Sequence, residues 1–223
     1  MPEYGTVYAA SRRRLTELVG GLDEAGQATI VPTCPEWRVK DVIAHLTGII
    51  DDIGAGRLDG VGTDPWTAVQ VEARRDTPLA EILAEWEAKA PPIEAMADNV
   101  AQMGQSLVGD ITTHELDVRA ALGQSGPADD LAVNLTLDRY APTLAQRAKE
   151  AGVAPVRIVA DGRELPVEGE PGATVSASTF ELVRAITGRR STAQIAAFDW
   201  TGDSSPYLPI FSTYGSPSAD VIE

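Results

Sequence analysis

The sequence predicts an α+β chain built of a helical N-terminal domain and a smaller α/β C-terminal domain. Three observations predict it. Before residue 123, four stretches carry apolar residues at helical spacing. A turn-forming run at 123–130, Gly-Gln-Ser-Gly-Pro-Ala-Asp-Asp, then interrupts that pattern. Beyond it, short β-rich runs alternate with further helical segments. The domains are therefore expected at 1–125 and 126–223.

The first helix is expected over residues 2–22, with Tyr4, Val7, Ser11, Leu15, Leu18 and Leu22 on its buried side. Arg12, Arg13 and Arg14 read as a solvated face. Residues 31–37, with two prolines, read as a turn-rich connector that Trp37 anchors to the helices. The second helix starts near Val39, and Val42, Ile43, Leu46, Ile49, Ile50 and Ile53 form its core stripe. Residues 54–78 are rich in Gly, Pro and Asp and read as a long loop with a short helical piece, a length that often carries function. The third helix begins near Pro78 and is expected to break or kink at Pro91 and Pro92, resuming over 93–103. The fourth runs through 110–122 and closes on Gly123. In the second domain a helix over 131–152 precedes a strand at 156–160, a hairpin signal at Asp161-Gly162, strands at 164–167 and 173–176, and helices at 179–187 and 192–197. The tail shows no periodicity.

The chain has 223 residues and a formal net charge of -15. So acidic a protein is a poor partner for nucleic acid or an anionic membrane. Its one cysteine, Cys34, allows no intrachain disulfide, which fits a reducing cytoplasm. There is no signal-peptide pattern and no apolar run of the roughly 18 residues a membrane span needs. Nucleophile-elbow, Walker and dinucleotide glycine motifs are absent too.

The two histidines carry the chemistry. His45 lies within the stripe of the second helix, and His114 lies on the fourth helix four residues after Asp110, so that Asp110 and His114 stack on one face. Imidazoles and a carboxylate aimed at a core need satisfaction. Two readings account for them: hydrogen-bonded core histidines, or a divalent metal held by His45, Asp110 and His114 with open positions for catalysis.

Residues 33–46, Thr-Cys-Pro-Glu-Trp-Arg-Val-Lys-Asp-Val-Ile-Ala-His-Leu, resemble the first motif of the mycothiol-dependent maleylpyruvate isomerase family, roughly C-P-x-W-x-V-x-D-V-x-A-H-L. Residues 110–123 are similar to its second motif, roughly E-x-x-x-H-x-x-D-x-R-x-A-L-G. Residues 182–190 and 193–200 resemble its C-terminal segment around T-G-R-x-S. The resemblance implies a DinB-like four-helix bundle followed by a smaller α/β domain. It implies zinc on His45, Asp110 and His114, with mycothiol, the low-molecular-mass thiol of actinobacteria, as cosubstrate. The chemistry implied is cis–trans isomerisation or thiol S-transfer on a small enoyl or carboxylate electrophile, with the thiolate as nucleophile. Arg189, at the family's Gly-Arg position, is the candidate catalytic residue for a carboxylate; the other reading of Arg189 and Arg190 is a helix-terminal cation. Cys34 reads as packing, and Asp117 with Arg119 as an ion pair or as surface charges. The chain departs from the family at Asp110, where Glu is usual, and at Arg38, where Ser or Thr would cap the second helix better. A non-catalytic binding protein of the same fold and a 2-His-1-carboxylate iron enzyme remain the alternatives. The expected partners are a small substrate and the thiol, with the chain a monomer or homodimer.

Overall fold

Helix α1 (Tyr4–Val19) opens the N-terminal unit in the computed structural model, which describes residues 3–223. Pro2, where the sequence starts the first helix, lies outside the described residues. The chain divides into two compact units, one ending at Ser125 and the other spanning Gly126–Glu223. The class is α+β, with a four-helix bundle in the first unit and an α/β arrangement in the second.

In the first unit α1 leads through a single turn, α2 (Glu24–Gln27), into two short antiparallel strands, β1 (Ile30–Val31) and β2 (Cys34–Arg38). The connector expected at 31–37 is thus largely a hairpin. The long helix α3 (Val39–Ala55) follows directly. Arg38 occupies its N-cap, and Asp41 closes the cap from inside, accepting from the Arg38 backbone N–H at 2.9 Å and from its guanidinium at 2.8 Å. A guanidinium has no acceptor, so this is one half of a capping box with an ion pair in place of the other. Burial pushes the Asp41 carboxyl up, and Arg38 more than offsets it, holding the group below the usual carboxylate range.

The stretch 54–78 contains a nine-residue helix, α4 (Asp64–Glu72), packed on α3. Then come α5 (Leu79–Ala97) and α6 (Ala101–Ala121). α1 and α3 each pack against both α5 and α6. The core holds Tyr8, Leu15, Ile43, Leu46, Ile50, Ile82, Trp86 and Ile111.

Two expectations are corrected here. The break expected at Pro91 and Pro92 does not occur: α5 runs through both and ends at Ala97, and residues 101–103 open α6. Proline removes a helix hydrogen bond and crowds the preceding turn, but Trp86, Ala90, Ile93 and Ala97 keep one buried face across the step. Arg12 also ties Glu87 on one side of the prolines to Glu94 on the other. Arg12 is therefore buried, at 4% exposure, and not on a solvated face. Arg14 is half-buried and holds Glu115 through two hydrogen bonds of 2.7 and 2.8 Å; only Arg13 of the three is exposed.

The second unit begins with α7 (Asp130–Glu150), capped by the Asp129 carboxylate. Its sheet comprises β3 (Val156–Ala160), β4 (Arg163–Glu164), β5 (Ala173–Ala177) and β6 (Asp199–Thr201) in the order β4-β3-β5-β6. β3 and β5 are parallel, and the outer strands antiparallel. Asp161 (φ 49°) and Gly162 (φ 81°) make the two-residue turn between β3 and β4, both in the left-handed region that such hairpins need. Helices α8 (Thr179–Ile186) and α9 (Thr192–Ala196) separate β5 from β6. The strand expected at 164–167 is the shorter Arg163–Glu164, and β6 lies where no strand was expected. No helix among the described residues is long and apolar enough to cross a membrane.

Candidate metal centre

The apolar stripe of α3 carries His45 into the bundle at 4% exposure. On α6, Asp110 and His114 stand one turn apart and face it. The Nε2 atoms of His45 and His114 each lie 3.8 Å from the Asp110 carboxylate, one toward each oxygen. The imidazoles meet edge-on, with centroids 5.2 Å apart. All three donor atoms lie within 4.8 Å of one another. Two ligands bound at about 2.1 Å to one ion can be at most about 4.2 Å apart. The histidine–carboxylate pairs already meet that limit, and closure of under about 1 Å brings in the widest possible pair.

The far nitrogens are also set. His45 Nδ1 is 2.8 Å from Gln70 Oε1. His114 Nδ1 is 3.2 Å from Asp117 Oδ2, an ion-pair distance without hydrogen-bond alignment. Asp117 is fully buried and accepts the Thr33 hydroxyl at 2.8 Å. Metal-bound histidines usually present their other nitrogen to such a carbonyl or carboxylate. Donor chemistry, separations and outer partners thus all fit a divalent cation. The Asp110 side chain is one-third exposed while both histidines are buried, so the carboxylate marks the side from which a ligand approaches.

β2 adds a wall. The Trp37 ring lies 5.0 Å from that of His45 and 5.8 Å from that of His114. It anchors the strand, as its position in the connector implies, and it does so on the two histidines themselves. Cys34 Sγ is 3.9 Å from Asp117 Oδ2, and Cys34, His114 and Asp117 form a second close cluster that shares His114.

The structure thus brings His45, Asp110 and His114 together. Asp117, weighed from sequence as a partner of Arg119, faces His114. Gln70 was missed altogether: a lone glutamine on a short helix carries no signal, and only the position of α4 against α3 reveals it. Arg189 belongs to the C-terminal unit, where its guanidinium is buried and donates to the Thr187 carbonyl at the end of α8. Arg190 makes two hydrogen bonds to Glu181, at 2.6 and 2.8 Å, and one to Glu223.

Residues 8–106 match the model of the mycothiol maleylpyruvate isomerase N-terminal domain. The match spans most of the N-terminal unit. Within it the matched residues include His45 but stop short of Asp110 and His114, so the α6 pair rests on geometry. Among solved structures, the chain is similar to a histidine-to-alanine mutant of the mycothiol-dependent maleylpyruvate isomerase, with a TM-score of 0.60 and 11% identity over 90% of this chain and 93% of that one. A second crystal structure of the mycothiol-dependent maleylpyruvate isomerase gives 0.52 and 12% over 85% and 90%. At that identity the likeness is one of fold, and it extends through the C-terminal unit that the family model leaves out. No curated protein sequence matches the chain.

Proposed function

We propose that this chain is a metal- and mycothiol-dependent enzyme that acts on a small electrophile, as a cis–trans isomerase of enoyl acids or as a thiol S-transferase. The observation that carries the reading is the convergence of two Nε2 atoms on the two oxygens of Asp110, with both Nδ1 atoms turned to outer partners. The family of the N-terminal unit supports the thiol. Zinc is the proposed ion, on the donor set and the histidine-rich site.

A divalent cation bound by these residues would supply charge that favours the thiolate form of a thiol ligand. His45 and His114 would hold it through neutral imidazoles, and Asp110 would be the one negatively charged ligand. Aspartate is one methylene shorter than the glutamate usual in the family, so its carboxylate stays closer to α6. Trp37 covers the histidine rings and limits water on that side. Cys34 stands beside Asp117 and outside the proposed ligand set, and with a thiol cosubstrate it is not required as the nucleophile.

The isomerisation balances without any other reactant. The thiolate sulfur adds to one carbon of the double bond while a proton reaches the other, the resulting single bond rotates, and loss of both regenerates thiol and trans product. An S-transferase instead releases the conjugate. Arg189 is proposed to bind a carboxylate of substrate or thiol. The proposed location is the cytoplasm, where thiols stay reduced.

The test is thiol-dependent turnover. Metal-loaded protein is incubated with mycothiol and either a cis-enoyl acid or an unrelated soft electrophile, and isomer and conjugate are separated chromatographically. Formation of trans acid or of conjugate only when thiol is present is the expected result. Turnover independent of thiol with iron bound favours the oxygenase-type triad. No turnover with any electrophile leaves a binding protein.

A further inference from the structure

We propose that Gln70, on the short helix α4, is a positioning residue that locks His45 in the tautomer able to bind a metal through Nε2. The inference rests on the metal reading above and adds to it a residue from outside the bundle.

A chain of hydrogen bonds leads from Arg57 to His45. Arg57 Nε donates to Asp52 Oδ1 at 2.8 Å. Gln70 Nε2 donates to the other oxygen of Asp52 at 2.7 Å. Gln70 Oε1 faces His45 Nδ1 at 2.8 Å. An amide can be reversed end for end, and its neighbours decide which end is which. A carboxylate only accepts, so the NH2 end of Gln70 must face Asp52. The carbonyl end is then left for His45, and a carbonyl requires an N–H. Nδ1 therefore carries the proton, and Nε2 presents a lone pair toward Asp110 and His114.

The lock is buried and tightly built. Gln70 is 2% exposed, and Asp52 is 9% exposed. α4 reaches this depth because position 48, three residues past His45 on α3, has no side chain. A Cβ there would lie 2.5 Å from Gln70 Cβ and 2.7 Å from Gln70 Cγ, closer than real Cβ atoms approach. The polar head is the sole buried polar residue of α4, which sets it apart from an ordinary surface glutamine.

The two histidines are thereby treated differently. His114 faces a buried carboxylate, Asp117, whereas His45 faces a neutral amide. A neutral partner orients its histidine without adding charge around the cation, so it fixes geometry while leaving the charge to Asp110 and Asp117.

Two readouts test the lock. Long-range 1H–15N spectra of the metal-free protein, recorded above the histidine titration range, report which nitrogen of His45 carries the proton. Zn2+ affinity is measured separately by competition with a chromophoric chelator. In the wild type His45 is expected to be protonated at Nδ1. In Gln70→Met, of similar length but without an acceptor, the two tautomers are expected to mix, and Zn2+ affinity to fall about 10- to 100-fold. Asp52→Ala frees the amide to reverse and is expected to shift the tautomer in the same direction; it covers the case in which Gln70→Met does not fold. A wild-type His45 protonated at Nε2 overturns the proposal. So does a folded Gln70→Met that keeps both the wild-type tautomer and the wild-type affinity. If the wild type takes up no Zn2+ yet its tautomer still depends on Gln70, the lock stands and the metal reading falls.

Discussion

Replacing Tyr8 by Phe makes a prediction in which pH separates two effects. Tyr8 is 2% exposed on α1, and its hydroxyl accepts from the Trp86 indole N–H at 3.1 Å. Burial is the largest influence on the phenol and pushes it well above the usual range, and the charges of Asp110 and Glu94 push the same way. Near pH 8, Tyr8→Phe leaves the buried indole N–H without its acceptor, a loss of about 1–3 kcal/mol. At higher pH the comparison changes. The unfolded wild type releases the Tyr8 proton above about pH 10, while the folded protein retains it. A group raised on folding contributes stability that is complete below its unfolded pKa and fades as pH rises beyond it. At pH 11 the unfolded wild type gains about 1.4 kcal/mol from this ionisation, and the Phe variant gains none. The stability difference between the two proteins should therefore shrink by about 1.4 kcal/mol between pH 8 and pH 11. Paired urea titrations followed by circular dichroism measure it, and all other titrating groups cancel in the difference. An unchanged difference would mean that folded Tyr8 ionises like a free phenol, and would refute the burial argument.

Other outcomes follow from the same contacts. Arg12→Ala should destabilise the first unit by about 2–4 kcal/mol, below the upper range for breaking a buried ion pair because Glu87 is mostly exposed; thermal and urea unfolding measure it, and a loss under about 0.5 kcal/mol would show that the proline step in α5 needs no tie. Asp117→Asn removes the charge behind His114 at constant volume and should weaken Zn2+ binding about 10- to 100-fold, read by chelator competition; equal affinity would make Asp117 a packing residue. Arg189→Lys should raise KM for a carboxylate substrate about tenfold, the value of one charge-assisted hydrogen bond, with metal content unchanged; an unaltered KM would refute the carboxylate-binding role proposed for Arg189.

Much of the bundle could be read from the sequence because its signals are local. The stripe of α3 from Val42 to Ile50, the glycine after α6 and the Asp161-Gly162 turn each follow from spacing or backbone preference within a few residues. His45, Asp110 and His114 were legible for the same reason: a polar residue in an apolar stripe stands out. The misreadings share another cause. Arg12 looks solvated because its partners, Glu87 and Glu94, are more than 70 residues away. The prolines of α5 look like a break because the buried face and the Arg12 tie that carry the helix past them are tertiary. β6 is three residues long, and its pairing with β5 is all that defines it. Gln70 matters only through the depth at which α4 meets Gly48, and no pattern in 54–78 encodes that distance.

The most direct test of the central claim is metal content by mass spectrometry, made on the purified wild type, His45→Ala and His114→Ala after equilibration with Zn2+ and removal of excess ion. Mycothiol binding is measured on the same samples. Close to one ion per wild-type chain is expected, little in either variant, and thiol binding that is lost with the ion. Equal metal content in all three proteins, or thiol binding indifferent to both histidines, would contradict the claim.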